Sequence, residues 1–182
     1  MSCLTVYHQS SPEHPNKLLS HVEDIASTLA AINVQFSQVP VQQPVIAGTA
    51  SAELITANAL QIEQLKALYD HASAEIISLC DERGEGSELA RGLRQEQVCE
   101  PAQVHYYLAG RGLLALHSGD YVYSLLCEKN DLLLLPAGIA HWFDAGAHPR
   151  VAVLRLFDAP QVPAFISVAD DFAASFTGLD DC

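Results

Sequence analysis

The sequence predicts a mostly β protein, a barrel or sandwich of short strands with a few helices packed outside it. Two observations carry this. From about residue 93 to 158, short apolar runs alternate with turn signals. In the first third, apolar residues recur instead at three- and four-residue steps. Helical stripes of that kind need a surface to cover, and a sheet supplies one.

The elements follow in order. Ser20 and Glu23 fit a capping box, and Val22, Ile25, Leu29 and Ile32 then line one helix face. Residues 35–50, with Pro40, Pro44 and Gly48, read as a loop or irregular strand. A second helix is predicted across about 51–70, where only Asn58 interrupts the stripe of Leu54, Ile62, Leu65 and Leu68. After residues 75–79 the character changes, and 81–92 is a charged, glycine-bearing linker or short helix. Candidate strands are 103–109, 112–117, 121–127, 131–135 and 150–157, with hairpin signals at 110–112 and 118–120 and another turn at 136–138. The expectation is one domain over 1–182. Its N-terminal region, residues 1–75, is helical; the barrel core spans about 76–158, and a C-terminal wrap covers 159–182.

Composition narrows the partners. The 182 residues hold nine Lys+Arg against 22 Asp+Glu, a formal net charge of -13. Nucleic acid and anionic membrane both need basic patches, so neither is expected as a partner. A hydrophobic fraction of 49% excludes a disordered acidic tail. No apolar run approaches the ~18 residues of a membrane span, and no basic segment precedes an apolar one at the N-terminus, so a cytoplasmic protein is expected. Five scattered cysteines without a C-x-x-C pair indicate neither a disulfide framework nor a structural zinc site.

One stretch is specific. Leu126-Cys127-Glu128-Lys129-Asn130-Asp131, followed by Pro136-Ala137-Gly138-Ile139-Ala140-His141-Trp142-Phe143-Asp144, resembles the second motif of cupins. More narrowly it resembles the acireductone dioxygenases of methionine salvage. The likeness continues through residues 106–113 and 154–158 and reaches Val6-Tyr7-His8 and Pro15-Asn16-Lys17. The resemblance implies a double-stranded β-helix (cupin) barrel with small peripheral α-helices and a mouth holding one divalent metal. It implies iron or nickel bound by two histidines and a glutamate of the first motif and one histidine of the second. With O2 such enzymes cleave the enediol acireductone. The iron form yields a 2-keto acid and formate; the nickel form yields carbon monoxide and other products.

The first motif departs from that pattern. Counting back from Gly110 along H-x-H-x3-E-x6-G puts Gln103 at the glutamate, Cys99 at the second histidine and Gln97 at the first. Only His141 keeps its ligand type. Neutral amide oxygens are weak donors for iron or nickel, so the family's metal site is predicted lost. The two-residue strand period places Gln97, Cys99, Gln103 and His105 on the face the family turns inward, with Phe143 two residues beyond His141. His105 replaces a family arginine beside the substrate, while Arg155 matches a retained one.

Three readings of this set stand side by side. Cys99, His105 and His141 could hold a different metal: zinc, copper or iron in an altered site. Cys99 and His141 could form a metal-free catalytic pair, a thiolate beside an imidazole. The barrel could bind a small molecule without turning it over. In each, Gln97, Gln103, His105, Phe143 and Arg155 are the substrate contacts. The expected substrate is a polar metabolite, an enediol, keto acid or sulfur-containing acid, with residual acireductone dioxygenase activity as a further alternative. Blander roles are equally available. Cys99, Cys80 and Cys127 fit packing cysteines, the glutamines could plug the barrel, His105 and His117 could be hydrogen-bonded structural histidines, and Arg155 could pair with a buried acid. The oligomeric state is left open.

Overall fold

The computed structural model describes residues 1–81, 88–169 and 171–182, so the charged stretch 82–87 lies outside the described residues. Among them, the strands are β1 (Cys3–His8), β2 (Pro15–Leu19), β3 (Gln35–Gln38), β4 (Ser73–Cys80), β5 (Glu96–Val98), β6 (Gln103–Ser118), β7 (Tyr121–Glu128), β8 (Asp131–Leu135), β9 (Ala140–Asp144), β10 (Arg150–Phe157) and β11 (Ile166–Ala169). The helices are α1 (Val22–Ala30), α2 (Ser51–Ala57), α3 (Ala59–Tyr69) and α4 (Glu88–Leu93). One sheet runs β11-β5-β9-β6-β7-β1-β2; a second runs β3-β8-β6-β10-β4. Every pairing among them is antiparallel, and β6 belongs to both sheets.

That shared strand is where the sequence reading is corrected. Gly110 does not turn a hairpin between 103–109 and 112–117. The chain runs on as one bent strand whose first half pairs with β8 and β10 and whose second half pairs with β7 and β9. Gly110 sits at the bend with φ +71, and a Cβ there would lie 1.8 Å from the Arg150 carbonyl oxygen. Only glycine permits both the left-handed backbone and that approach. Gly112 meets a second demand, because a Cβ there would lie 2.2 Å from the Phe143 ring.

Burial follows the strand period. Val104, Tyr106 and Leu108 of β6 face outward into a cluster with Leu54, Ile62 and Leu65 of α2 and α3. Tyr107 faces inward into the barrel core with Ile77, Leu133, Phe143 and Val153. The second sheet is thus covered on both faces, which is why β10 reads as a near-continuous buried run. The C-terminal wrap covers some of the first sheet's outer face, packing Phe172 and Phe176 against Trp142.

The helices differ in detail from expectation. The Ser20 capping box does not form; α1 starts with His21 at the N-cap and makes no side-chain cap bond. The predicted second helix is two helices broken at Asn58, whose side-chain amide donates to the Leu54 carbonyl at 2.8 Å. Asn competes with the helix for its own backbone bonds in this way. Contrary to expectation, the N-terminal region 1–75 is not helical throughout: β1, β2 and β3 lie within it, β1 pairs with β7 and β3 with β8, and β4 begins at Ser73, because short strands without a strong periodic signal join the sheets through distant partners. Cys127 is buried as a packing cysteine, but Cys80 is exposed at the end of β4. No described helix is long and apolar enough to cross a membrane.

Candidate functional site

The barrel interior brings together the inward residues of β5, β6, β9 and β10. Gln97 pairs directly across from His141, and His105 pairs directly across from Arg155. Gln97, His105, Tyr107, His141, Phe143 and Arg155 all line one interior cavity, closed on its apolar side by Ile77, Leu93 and Val153. Its volume is about 10 Å³, room for about one water. Cys99 and Gln103 are buried but lie off this lining: β5 ends at Val98, and residues 99–102, which include Pro101, are not strand. The two-residue alternation therefore does not carry through from Gln97 to Gln103. The backbone at Cys99 instead accepts the Gly138 N–H at 2.9 Å, tying it to the turn before His141.

Hydrogen bonds orient the two histidines. The His141 Nδ1–H donates to the Ile139 carbonyl at 2.9 Å, which leaves Nε2 as a bare acceptor. His105 Nε2 lies 3.0 Å from Gln103 Oε1 and donates to it. The two rings stand edge to face, 5.9 Å apart. Burial lowers His141 to about 4, with the Ile139 bond opposing and Arg155 adding. Burial likewise holds His105 well below the ordinary imidazole value, reinforced by Arg155 and His141. Both rings are neutral near pH 7.

Arg155 carries the charge of this interior. Its guanidinium donates to Glu75 of β4, the residue directly opposite it in the β10–β4 register. The Phe157 and Phe165 rings cover its faces, with centroids 5.7 and 4.5 Å from Cζ. Phe165 also meets His141 edge-on at 5.9 Å. Tyr107, Glu75 and Phe165 are the participants the sequence reading did not single out. Tyr107 lies on β6 among the buried residues around His105 and was detectable there. Glu75 was anticipated only as an unnamed acid, and Phe165, in an irregular segment with Pro160 and Pro163, has no periodic signal.

Burial pushes the Cys99 thiol up to about 11, Arg155 opposing and Glu75 and Glu100 adding. At pH 8.5 that leaves roughly 100-fold less thiolate than an ordinary thiol has. Native Cys99 is therefore expected to resist iodoacetamide at pH 8.5 and to react once the chain is denatured, read by peptide mass spectrometry. Rapid labelling in the native chain would restore the nucleophile reading. His117 is structural in its contacts: it bonds Glu96 Oε1 at 2.5 Å and Gln9 Oε1 at 3.2 Å and stacks on Phe172.

The low His141 value also makes stability depend on pH. Unfolded His141 takes up a proton below pH ~6.5, whereas the folded ring stays neutral down to about 4, with His105 and Arg155 as the ionisable groups facing it. Its contribution is therefore full above pH ~6.5 and falls as pH drops. At pH 5 the chain is expected to lose about 2 kcal/mol through His141, and the His141→Asn variant is expected to lose correspondingly less. Urea midpoints at pH 7 and 5 measure this; an equal drop in both proteins refutes it.

As a metal site the set is poor. His141 is oriented as a metal-ligating histidine is, one nitrogen tied to a carbonyl and the other free. Its neighbours at the implied ligand positions are Gln97, Cys99 and Gln103. Among the described residues, no three His, Cys, Asp or Glu side chains are grouped so as to hold a metal ion, so Cys99, His105 and His141 are not gathered into one centre. The residues present do not fit the iron or nickel that the resemblance implies.

Comparison with known proteins places this geometry. The profile of the ARD/ARD' family matches residues 6–163. Acireductone dioxygenases from Pseudomonas paraeruginosa and Pseudomonas fluorescens are each 42% identical over 181 residues, covering 100% of both chains. The one from Pseudomonas syringae pv. tomato is 41% identical over the same span. Among solved structures, the acireductone dioxygenase from Bacillus anthracis, with a cadmium ion in its active centre, superposes with a TM-score of 0.69. That match covers 90% of this chain and 98% of the other at 17% identity, and it shows the cupin fold. On the full-length likeness and the family profile together, the chain belongs to the acireductone dioxygenase (ARD/ARD') family.

Proposed function

We propose that this chain is a family member that binds a small polar metabolite, an enediol, keto acid or sulfur-containing acid, without the family's iron or nickel dioxygenation. One observation carries the reading: of the four implied ligand positions, only His141 keeps the family's donor type, while Gln97 and Gln103 offer neutral amides and Cys99 a buried thiol. Binding is favoured over turnover because neither Cys99 nor His141 is poised for acid–base or nucleophilic work near pH 7. The Cys99 thiol is pushed up to about 11 and His141 down to about 4. Arg155, the cation of the interior, favours an anionic or enediolate ligand. The setting is the cytoplasm, which suits five free thiols.

A second reading is residual dioxygenase activity, favoured by the bare Nε2 of His141 and its carbonyl-tied Nδ1. Acireductone consumption under air, with iron or nickel supplied, separates the two. The expected result is no excess over the spontaneous rate and only trace metal by elemental mass spectrometry. A metal-dependent excess with one ion per chain would establish the second reading.

A further inference from the structure

The interior leaves hydrogen-bonding capacity unused. His141 Nε2 is an acceptor without a partner among the described residues, and Gln103 Nε2 and Arg155 Nε are donors without one. All three side chains are deeply buried, at 1%, 1% and 7% exposure. Native proteins rarely leave such groups dry. The adjoining cavity, at about 10 Å³, admits no organic ligand.

One half-buried ring lies against two of these groups, Arg155 and His141. Phe165 is half-buried and lies over the Arg155 guanidinium at 4.5 Å, beside His141 at 5.9 Å and Phe157 at 6.0 Å. It rides on the irregular segment 158–165 and is anchored from its far side. There β11 pairs with β5, Ile166 opposite Val98 and Ser167 opposite Gln97. Moving the ring uncovers the Arg155 guanidinium and the His141 ring without breaking a barrel strand.

We propose that Phe165 is a displaceable stopper, and that the ligand it gives way to is a short carboxylate with a hydroxyl on the neighbouring carbon. The inference rests on the reading of this interior as a small-molecule site. The ligand class follows from the unused atoms. Arg155 Nε–H is a donor and suits a carboxylate oxygen, while His141 Nε2 is an acceptor and suits a hydroxyl. Glu75 already balances the Arg155 charge, so a monoanion is preferred to a phosphate dianion. The space of one phenyl ring limits the ligand to a few heavy atoms.

The test is carbethoxylation of His141 by diethyl pyrocarbonate at pH 7, followed by peptide mass spectrometry on the full chain. His141 is expected to react at least about tenfold faster in Phe165→Ala than in the native protein. Phe165→Leu should fall between them; it keeps the test usable if the alanine variant does not fold. Lactate or glycolate should slow the reaction in the opened variants about fivefold, and propionate, which lacks the hydroxyl, should do so much less. Equal reaction rates in native and variant chains would overturn the stopper. Propionate protecting as well as lactate, or neither protecting, would overturn the ligand class. Thermal melts distinguish this from failure of the underlying site. Stabilisation by lactate with equal modification rates leaves the site standing and removes the stopper. No stabilisation of any variant by any of these acids, or by 2-keto acids, removes the site itself.

Discussion

A chain carrying Gln97→His, Cys99→His and Gln103→Glu together is expected to bind one nickel or iron ion per barrel, and the native chain is expected to hold only trace metal. The effect is large because a ligand that binds only the folded state at 1,000 times its Kd adds about 4 kcal/mol of stability. The melting temperature of the triple variant should therefore rise with added nickel and fall back with a chelator, while that of the native chain stays unmoved. The frame for such a site is present. Gln97 is the cross-strand partner of His141, and the His141 ring already presents a bare Nε2. Cys99 and Gln103 are the demanding positions, because both lie off the cavity lining and Cys99 sits beyond the end of β5. Failure of the triple variant to bind would mean that the backbone around Cys99 and Pro101 has departed along with the donors. One tightly held ion in the native chain would refute the loss of the centre.

Glu75→Gln is expected to destabilise the fold by about 3–5 kcal/mol, because it strands the buried Arg155 guanidinium without its counter-charge. Removing both charges, as Glu75→Gln with Arg155→Met, should recover most of that loss, since a methionine packs between Phe157 and Phe165 and demands no partner. Urea unfolding of the four proteins closes the cycle. A Glu75→Gln chain within about 1 kcal/mol of native would show that Phe165, Phe157 and solvent satisfy the cation without the carboxylate. The double variant also separates stability from binding: it should fold well and lose the anion site.

Much of the molecule was readable from residue order. The outward face of β6 carries Val104, Tyr106 and Leu108, and its inward face carries His105 and Tyr107, as a period of two largely requires. The 141–143 motif predicted an inward His141 and Phe143, and both line the cavity. Where the reading failed, the physics was non-local. Gly110 carries the same local signal whether it closes a hairpin or bends one strand between two sheets; the Arg150 carbonyl packed against it decides. Asn58 looked like a flaw in one helix and proved to be its end, because the side chain found the Leu54 carbonyl.

The sequence by itself determined the barrel, the family and the chemistry of the replaced donors, since these depend on residue type and spacing along single strands. The tertiary structure alone decided which of those residues meet. It set Cys99 off the cavity wall, paired Arg155 with Glu75 across two strands and brought Phe165 from an irregular segment onto the cation. The reason is that strand period specifies the face of a residue but not its neighbour. The neighbour depends on the register between segments distant in sequence, and on how small a space their packed side chains leave.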